Sequence, residues 1–279
     1  MKKMIKSGLM SLGLMAVLAI TCCSGSEDDP QPVQKKKLTL LTYNIHHGAP
    51  ADPKDAPPAV INLNNTAEVI RKSGADVVAL QEVDVNTTRS TNPTDHIDQA
   101  KKLAELLGME YYFSKSIDYK GGEYGNVILS KYPLSNKRRF DLPAIVGGEQ
   151  RSIALVTVTL PDGKTFEFGA THFDLAEVRV EQAKFLNQLN KDTNKPLFIG
   201  GDYNATPDSP EMIELKKEFS FPCTGPCPFT IPVNKPTKAI DFVVFNSLAR
   251  KTFSLVSSSA MTGRDASDHL PLIVVFQYD

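Results

Sequence analysis

Residues 196–204 read PLFIGGDYN: an apolar run, two glycines, then a carboxylate and an amide two positions apart. The run has the length of a buried strand, and its polar pair stands where the strand stops. The same pattern recurs along the chain. Asn44 closes LTLLTYN, Glu82 closes DVVALQE, Asp241 sits inside AIDFVVF, and Asp268 and His269 open DHLPLIVVF. Each of these groups binds a metal, a phosphate oxygen or a water. A fold that lines them up at one end of its sheets makes a hydrolytic site.

Apolar runs rich in Val, Ile, Leu and Phe also cover 126–130, 152–160 and 165–171, and strands are expected there. VTVTLPDGKTFEFGATH predicts a hairpin turning at Asp162-Gly163. Helical spacing appears between strands. Leu63, Ala67 and Ile70 share a face that Gly74 ends, and Ala100, Leu103 and Leu107 share another that Gly108 ends. Leu175, Val178, Phe185 and Leu189 mark a third, with Asp174 as its expected N-cap. Residues 83–95 and 115–123 read as loops bordering a cleft. Strands that outnumber helices, with helices spread along the chain, predict an α/β fold of two packed sheets with helices outside.

The chain has 279 residues, no Trp and a formal charge of −1. It is long enough for one large domain, and a tryptophan-lined ligand cradle is excluded. Residues 1–22 read as a signal peptide: Lys2, Lys3 and Lys6 form a basic start and LMSLGLMAVLAI an apolar run too short to span a bilayer comfortably. The segment ends in AITCCSGSEDDP, which resembles a bacterial lipoprotein signal, with Cys22 or Cys23 as the acylated residue. That implies an exported protein lipid-anchored to a bacterial membrane in the cell envelope. Residues 23–37 read as a flexible tether, and 38–279 as one domain. Cys223 and Cys227 in PCTGPC are expected to form a disulfide, since export favours one and a four-residue spacing without His is a poor zinc site.

Phosphoester hydrolysis needs a cation on the phosphoryl oxygen, an oriented water, donors for the developing charge and help for the leaving group. Mg²⁺ and Mn²⁺ prefer hard oxygen ligands and keep several waters, so Glu82, Asp268 and Asn44 suffice as protein ligands. Asp202 can position or deprotonate a water. Asn204 and His172 can hydrogen-bond the phosphate. His269 can act as a base or, protonated, hold an oxygen.

TYNIHHG, LQEVD, YGNVILSKYPL, THFDL, GGDYNATPDS, IDFVVF and SDHLPL, in that order from about residue 38 to 277, resemble the signature of the endonuclease/exonuclease/phosphatase superfamily. The resemblance implies a four-layer α/β/β/α sandwich with two mixed sheets and outer helices. It implies that Glu82 is the main metal ligand and that Asn44 helps bind metal or phosphate. Asp202 and Asn204 then handle the attacking water and the transition state, and His172 contacts phosphate. Asp241 supports His269, and Asp268 completes the closing pair. Arg151 resembles an arginine placed to touch a phosphate. His46 stands where apurinic endonucleases carry an acid, so a metal arrangement using that acid is not expected. His46, Arg89, Tyr124 and Asn126 are candidate substrate-binding residues. If strand alternation continues past Asn44, one of His46 and His47 faces the site.

The expectation is a Mg²⁺- or Mn²⁺-dependent phosphoric ester hydrolase acting by in-line water attack, and a monomer. A lipid head group or small phosphate ester is favoured as substrate, because removing the signal deletes three lysines and no acid, and no basic stripe suits nucleic-acid phosphates. A secreted nuclease is the alternative, and a non-catalytic binding module on the same fold is a third reading.

Overall fold

The computed structural model describes residues 35–51, 60–89, 96–175, 177–223, 225–262 and 266–279. The signal peptide, Cys22, Cys23 and most of the tether lie outside them. Residues from Lys35 to Asp279 form one compact unit.

Two six-stranded mixed sheets pack face to face. The first comprises β1 (Lys36–Asn44), β2 (Val77–Val85), β3 (Glu110–Tyr119), β4 (Gly122–Ser130), β11 (Ser254–Ala260) and β12 (Leu272–Tyr278), in the order β11-β12-β1-β2-β4-β3. The second comprises β5 (Leu134–Asp141), β6 (Ser152–Thr159), β7 (Thr165–His172), β8 (Leu197–Asp202), β9 (Phe219–Ser220) and β10 (Asp241–Asn246), in the order β5-β6-β7-β8-β10-β9. β1–β2 and β7–β8 are parallel, and the remaining pairings are antiparallel. The helices are α1 (Leu63–Ser73), α2 (Gln99–Leu107), α3 (Arg179–Lys191), α4 (Pro210–Leu215) and α5 (Ser247–Thr252).

The apolar runs are continuous because the central strands are buried on both faces. Leu38 and Leu40 of β1 and Val77 and Ala79 of β2 meet Val156, Phe168, Phe198, Val243 and Phe245 in the core between the sheets. The alternate residues Leu41, Tyr43, Val78 and Leu80 pack instead with Ala67, Ile70, Ala100 and Leu103 of α1 and α2. Ile153, Leu155, Leu197, Ile199, Phe242 and Val244 do the same with Ala183 and Leu186 of α3 and Met212 of α4. A period of two thus feeds three apolar layers.

Gly74 and Gly108 end their helices in the left-handed conformation, as their positions predict. The hairpin at Asp162-Gly163 joins β6 to β7, and Cys223 is disulfide-bonded to Cys227. Other expectations need correction. Residues 83–85 continue β2, 115–119 lie within β3 and 122–123 open β4, where loops are expected from the sequence; 90–95 of the first expected loop lie outside the described residues. β1 begins at Lys36, inside the stretch read as tether. Asp174 does not cap α3; its carboxylate accepts from Leu175 N at 2.6 Å, and Leu175 is exposed rather than on a helix face. The edge strands β3, β5, β9 and β11 and the two-turn helices α4 and α5 are too polar or too short to stand out by periodicity.

The sheets approach closely at Gly200. A Cβ there would lie 2.7 Å from Ala79 Cβ and 3.3 Å from Thr42 Cβ, both on the opposite sheet. Gly200→Ala should therefore cost about 1–3 kcal/mol of stability through overpacking, read as a lower urea midpoint with unchanged slope.

Candidate active site

Register brings the polar strand ends together. His172, the last residue of β7, pairs with Asp202, the last of β8, and Asp202 also pairs with Asp241, the first of β10. In the other sheet, Asn44 ends β1 opposite Gln81 of β2, and Thr42 pairs with Leu272 at the start of β12. Because the sheets touch at Gly200, these two sets of ends face each other.

Asp202 is the centre. Its Oδ2 accepts from Asn44 Nδ2 at 3.1 Å and lies 3.6 Å from both His172 Nε2 and His269 Nε2. Its Oδ1 accepts from the backbone N–H of Asn204 at 2.9 Å. Burial above all, then the nearby Asp241, pushes the carboxyl up to about 7, against the opposing pull of His269 and of its hydrogen bonds. His269 Nδ1 is 2.9 Å from Asp241 Oδ2. Burial opposes an imidazolium here, but the flanking Asp241 and Asp202 outweigh it and hold the ring well above the ordinary histidine range. Its Nδ1–H then donates to Asp241, and Nε2–H faces Asp202.

Asn44 Nδ2 also donates to Glu82 Oε1 at 3.0 Å, so one amide bridges the two carboxylates. Glu82 sits in a β-bulge with φ 59°, and Asn204, with φ 49°, is similarly left-handed. Such strain in non-glycine residues concentrates at functional sites, where it aims a side chain. Sequence reading missed two supports. Ser267 Oγ donates to Asn44 O at 2.7 Å and accepts from His269 N at 3.1 Å, tying the first strand to the final loop. Arg179 donates to Asn204 O at 2.6 Å. Ser267 was legible as the first letter of SDH; Arg179 had no signal.

Asp202, Asp241 and His269 each offer a ligand atom within 4.8 Å of the others, a group that could hold a metal ion. The same atoms are engaged with one another, however, and a protonated His269 already balances one of the two acids. Glu82 and Asp268 are half-buried hard oxygen donors, and neither is ion-paired with a basic side chain among the described residues. That donor chemistry fits a hard divalent cation.

His172 is held differently. Arg151, buried, places Nη1 3.0 Å from His172 Nδ1. A guanidinium only donates, so Nδ1 must accept and the proton of the neutral ring sits on Nε2, facing Asp202. Burial first, then the charges of Arg151 and His269, pushes this imidazole well below its ordinary range. Asn204 Nδ2, 3.1 Å from Nε2, is therefore a neighbour rather than a donor to it, and donates to Phe173 O at 2.9 Å. Arg151 braces His172 here instead of presenting its charge to open solvent.

The remaining candidates divide. Tyr124 borders a cleft with Arg89. Arg89 is not an open phosphate contact: Nε and Nη2 fork onto Asp84 at 2.8 and 2.6 Å. Asn126 is buried and donates to Ser152 O at 2.9 Å, so it links the two sheets rather than lining a pocket. His46 and His47 lie in a 3₁₀ turn with positive φ, so alternation has ended at Asn44; His46 Nδ1 is 3.2 Å from Pro50 O.

The fold and the polar strand ends define an α/β sandwich of the phosphatase and nuclease type. Residues 41–269 match the model of the Endonuclease/Exonuclease/phosphatase family, and the chain belongs to that family, whose members are hydrolytic. It is 26% identical to the uncharacterized protein YbhP of Escherichia coli (strain K12), over 87% of this chain and 97% of that one. Among solved structures, it resembles the endonuclease/exonuclease/phosphatase of Beutenbergia cavernae DSM 12333, with 24% identity, 87% of this chain and 72% of that one covered, and a TM-score of 0.68. The mannosyl-6-phosphatase of Bacteroides thetaiotaomicron VPI-5482 is similar at 18% identity over 85% and 98% of the two chains, with a TM-score of 0.65.

In ¹⁵N-edited NMR, His172 should show a protonated Nε2, a bare Nδ1 and no titration between about pH 5 and 8. Arg151→Met should remove the donor at Nδ1 and bring the ring's titration back toward neutrality.

Proposed function

We propose that this chain is an exported, lipid-anchored, Mg²⁺- or Mn²⁺-dependent phosphoric ester hydrolase that acts on a lipid head group or small phosphate ester. The supporting observation is the surroundings of Asp202 Oδ2: Asn44 at 3.1 Å and two imidazole Nε2 atoms at 3.6 Å, beside the half-buried Glu82. A site built only to bind needs no buried carboxylate poised to take a proton.

Asp202, its carboxyl raised toward neutrality by burial and Asp241, takes a proton from the attacking water, and a base works best with a pKa near the working pH. The water oxygen bonds to phosphorus as the bond to the leaving ester oxygen breaks on the opposite side. His172 presents Nε2–H to a phosphoryl oxygen. The amide of Asn204 is a second donor for the developing charge. His269, kept protonated by Asp241, stabilises that charge further. Glu82, Asp268 and Asn44 would hold the divalent ion, which when bound polarises the phosphoryl oxygen and eases departure of the leaving group.

Small esters are preferred over nucleic acid because the basic run is already engaged. Arg138 pairs with Glu167, Arg139 pairs with Asp141, and Lys137 donates to Tyr111 O at 3.1 Å. These side chains are spent within the fold rather than left to track a phosphate backbone.

The test is a panel of phosphate esters alongside plasmid DNA and RNA, with and without EDTA. Hydrolysis of a small ester that EDTA abolishes and added Mg²⁺ or Mn²⁺ restores is expected. Asp202→Asn and His269→Ala should each lower kcat at least about 100-fold, the usual scale for a lost base or charge-stabilising donor, while the thermal melt shows a folded protein. Metal binding without turnover of any ester would favour the binding-module reading, and turnover of nucleic acid alone would favour the nuclease.

A further inference from the structure

Asn204 is held at three points. Its backbone N–H donates to Asp202 Oδ1 at 2.9 Å, its amide Nδ2 donates to Phe173 O at 2.9 Å, and its carbonyl oxygen accepts from Arg179 Nη1 at 2.6 Å. The first two bonds tie it to the base and to the residue after His172. The third comes from outside the strand ends, from the first residue of α3.

Arg179 breaks a local rule at that place. The first turn of a helix is the positive end of its dipole, and a cation there is disfavoured. Its charge is met from the neighbouring helix instead. Arg179 Nε lies 2.8 Å from Glu211 Oε1, in the first turn of α4. Glu211 is buried, and a buried carboxylate needs such a partner. The ion pair therefore joins α3 to α4 and leaves Nη1 aimed at the loop between β8 and α4.

We propose that Arg179, aimed by Glu211, is a positioning residue that holds the left-handed backbone of Asn204. Through that backbone it places the side-chain amide that donates to the phosphoryl group and the N–H that orients Asp202. The proposal rests on the hydrolase reading above and names what keeps its second donor in place.

The strain at Asn204 is the main argument. Its φ is 49°, a conformation that asparagine tolerates but does not adopt as freely as glycine. A charged donor fixed on the carbonyl oxygen selects this one orientation over the extended and right-handed alternatives, which would swing both the carbonyl and the side chain away. The guanidinium fork serves Glu211 and Asn204 at once, which the single nitrogen of a lysine cannot do in the same geometry. The next turn of α3 acts in a similar way on neighbouring loops. The buried Gln182 accepts from Asp174 N at 3.0 Å and donates to Pro143 O at 2.9 Å. The start of α3 thus pins the loops that follow β5, β7 and β8.

The experiment uses the metal-loaded protein and whichever ester of the panel above it hydrolyses best. Arg179→Met should lower kcat about ten- to a hundredfold and change KM by less than about threefold, the pattern of a donor displaced in the transition state. Arg179→Lys should recover part of the loss, and Glu211→Gln should show a smaller one. Asn187→Ala is the control for a loosened helix: Asn187 Nδ2 donates to Glu214 O at 2.8 Å, joining the same two helices further along α3. It should lower the thermal midpoint without moving kcat. In an Asn204→Gly background, Arg179→Met should cost less than about threefold more, because glycine takes the left-handed conformation without help.

A second readout needs no turnover. The Asn204 backbone N–H should exchange with deuterium faster in Arg179→Met than in the wild type or Asn187→Ala. Equal kcat losses in Arg179→Met and Asn187→Ala, a full additive loss in the Asn204→Gly background, or unchanged exchange would overturn the proposal while leaving the hydrolase reading intact. If Arg179→Met does not fold, Arg179→Lys and Glu211→Gln decide the same comparisons. If the wild type hydrolyses no ester, the hydrolase reading falls, and the exchange rates alone decide whether Arg179 holds Asn204.

Discussion

Everything at the candidate site depends on how closely the two sheets approach at Gly200. With no side chain there, β8 can press against Ala79 and Thr42, and Asp202, two residues on, comes within hydrogen-bonding reach of Asn44 from the other sheet. Cores are densely packed and transmit displacement, so a wider gap would separate Asn44 and Glu82 from Asp202 and the histidines.

That approach buries charge, and burial of charge has to be compensated. Asp202 and Asp241 are each about 1% exposed. Two carboxylates so placed would repel each other and lose their hydration. The fold answers with a shared imidazolium at His269, an amide from Asn44 and a backbone N–H from Asn204. The compensation is incomplete by design of the surroundings: Asp202 keeps an affinity for a proton that a surface aspartate lacks. His172 receives the opposite treatment, with a buried arginine ensuring that it stays neutral. Two histidines an equal 3.6 Å from one carboxylate thus carry different protonation states, one set by Asp241 and the other by Arg151. Environments that push similar groups apart in this way distinguish chemical roles.

The legible parts of the chain were those where a local rule and the global fold agree. Central strands such as 38–43 and 196–200 stood out because burial on both faces demands unbroken apolar runs. Edge strands did not: β11, SLVSSSA, is largely half-buried or exposed and has little apolar content to read. Helix ends at Gly74 and Gly108 were visible because a left-handed residue is needed there. The α3 start was misplaced because Asp174 is as good a local hydrogen-bonding residue as a cap, and here it bonds its own neighbour.

The amino-acid sequence by itself determined which polar groups stand at strand ends, and in what order, because strand length and polar punctuation are local properties. It also singled out Asn44, Glu82, Asp202, Asn204, Asp268 and His269 as candidates, in an ordered series of motifs. The tertiary structure alone decided what each arginine does. Arg151 and Arg89 read alike as cations for a phosphate, but one places Nη1 against His172 Nδ1 and Glu149, fixing a histidine tautomer, and the other forks onto Asp84. A long side chain's partner is chosen by whatever the fold carries within its reach, and that is a property of through-space proximity which no local pattern of residues encodes.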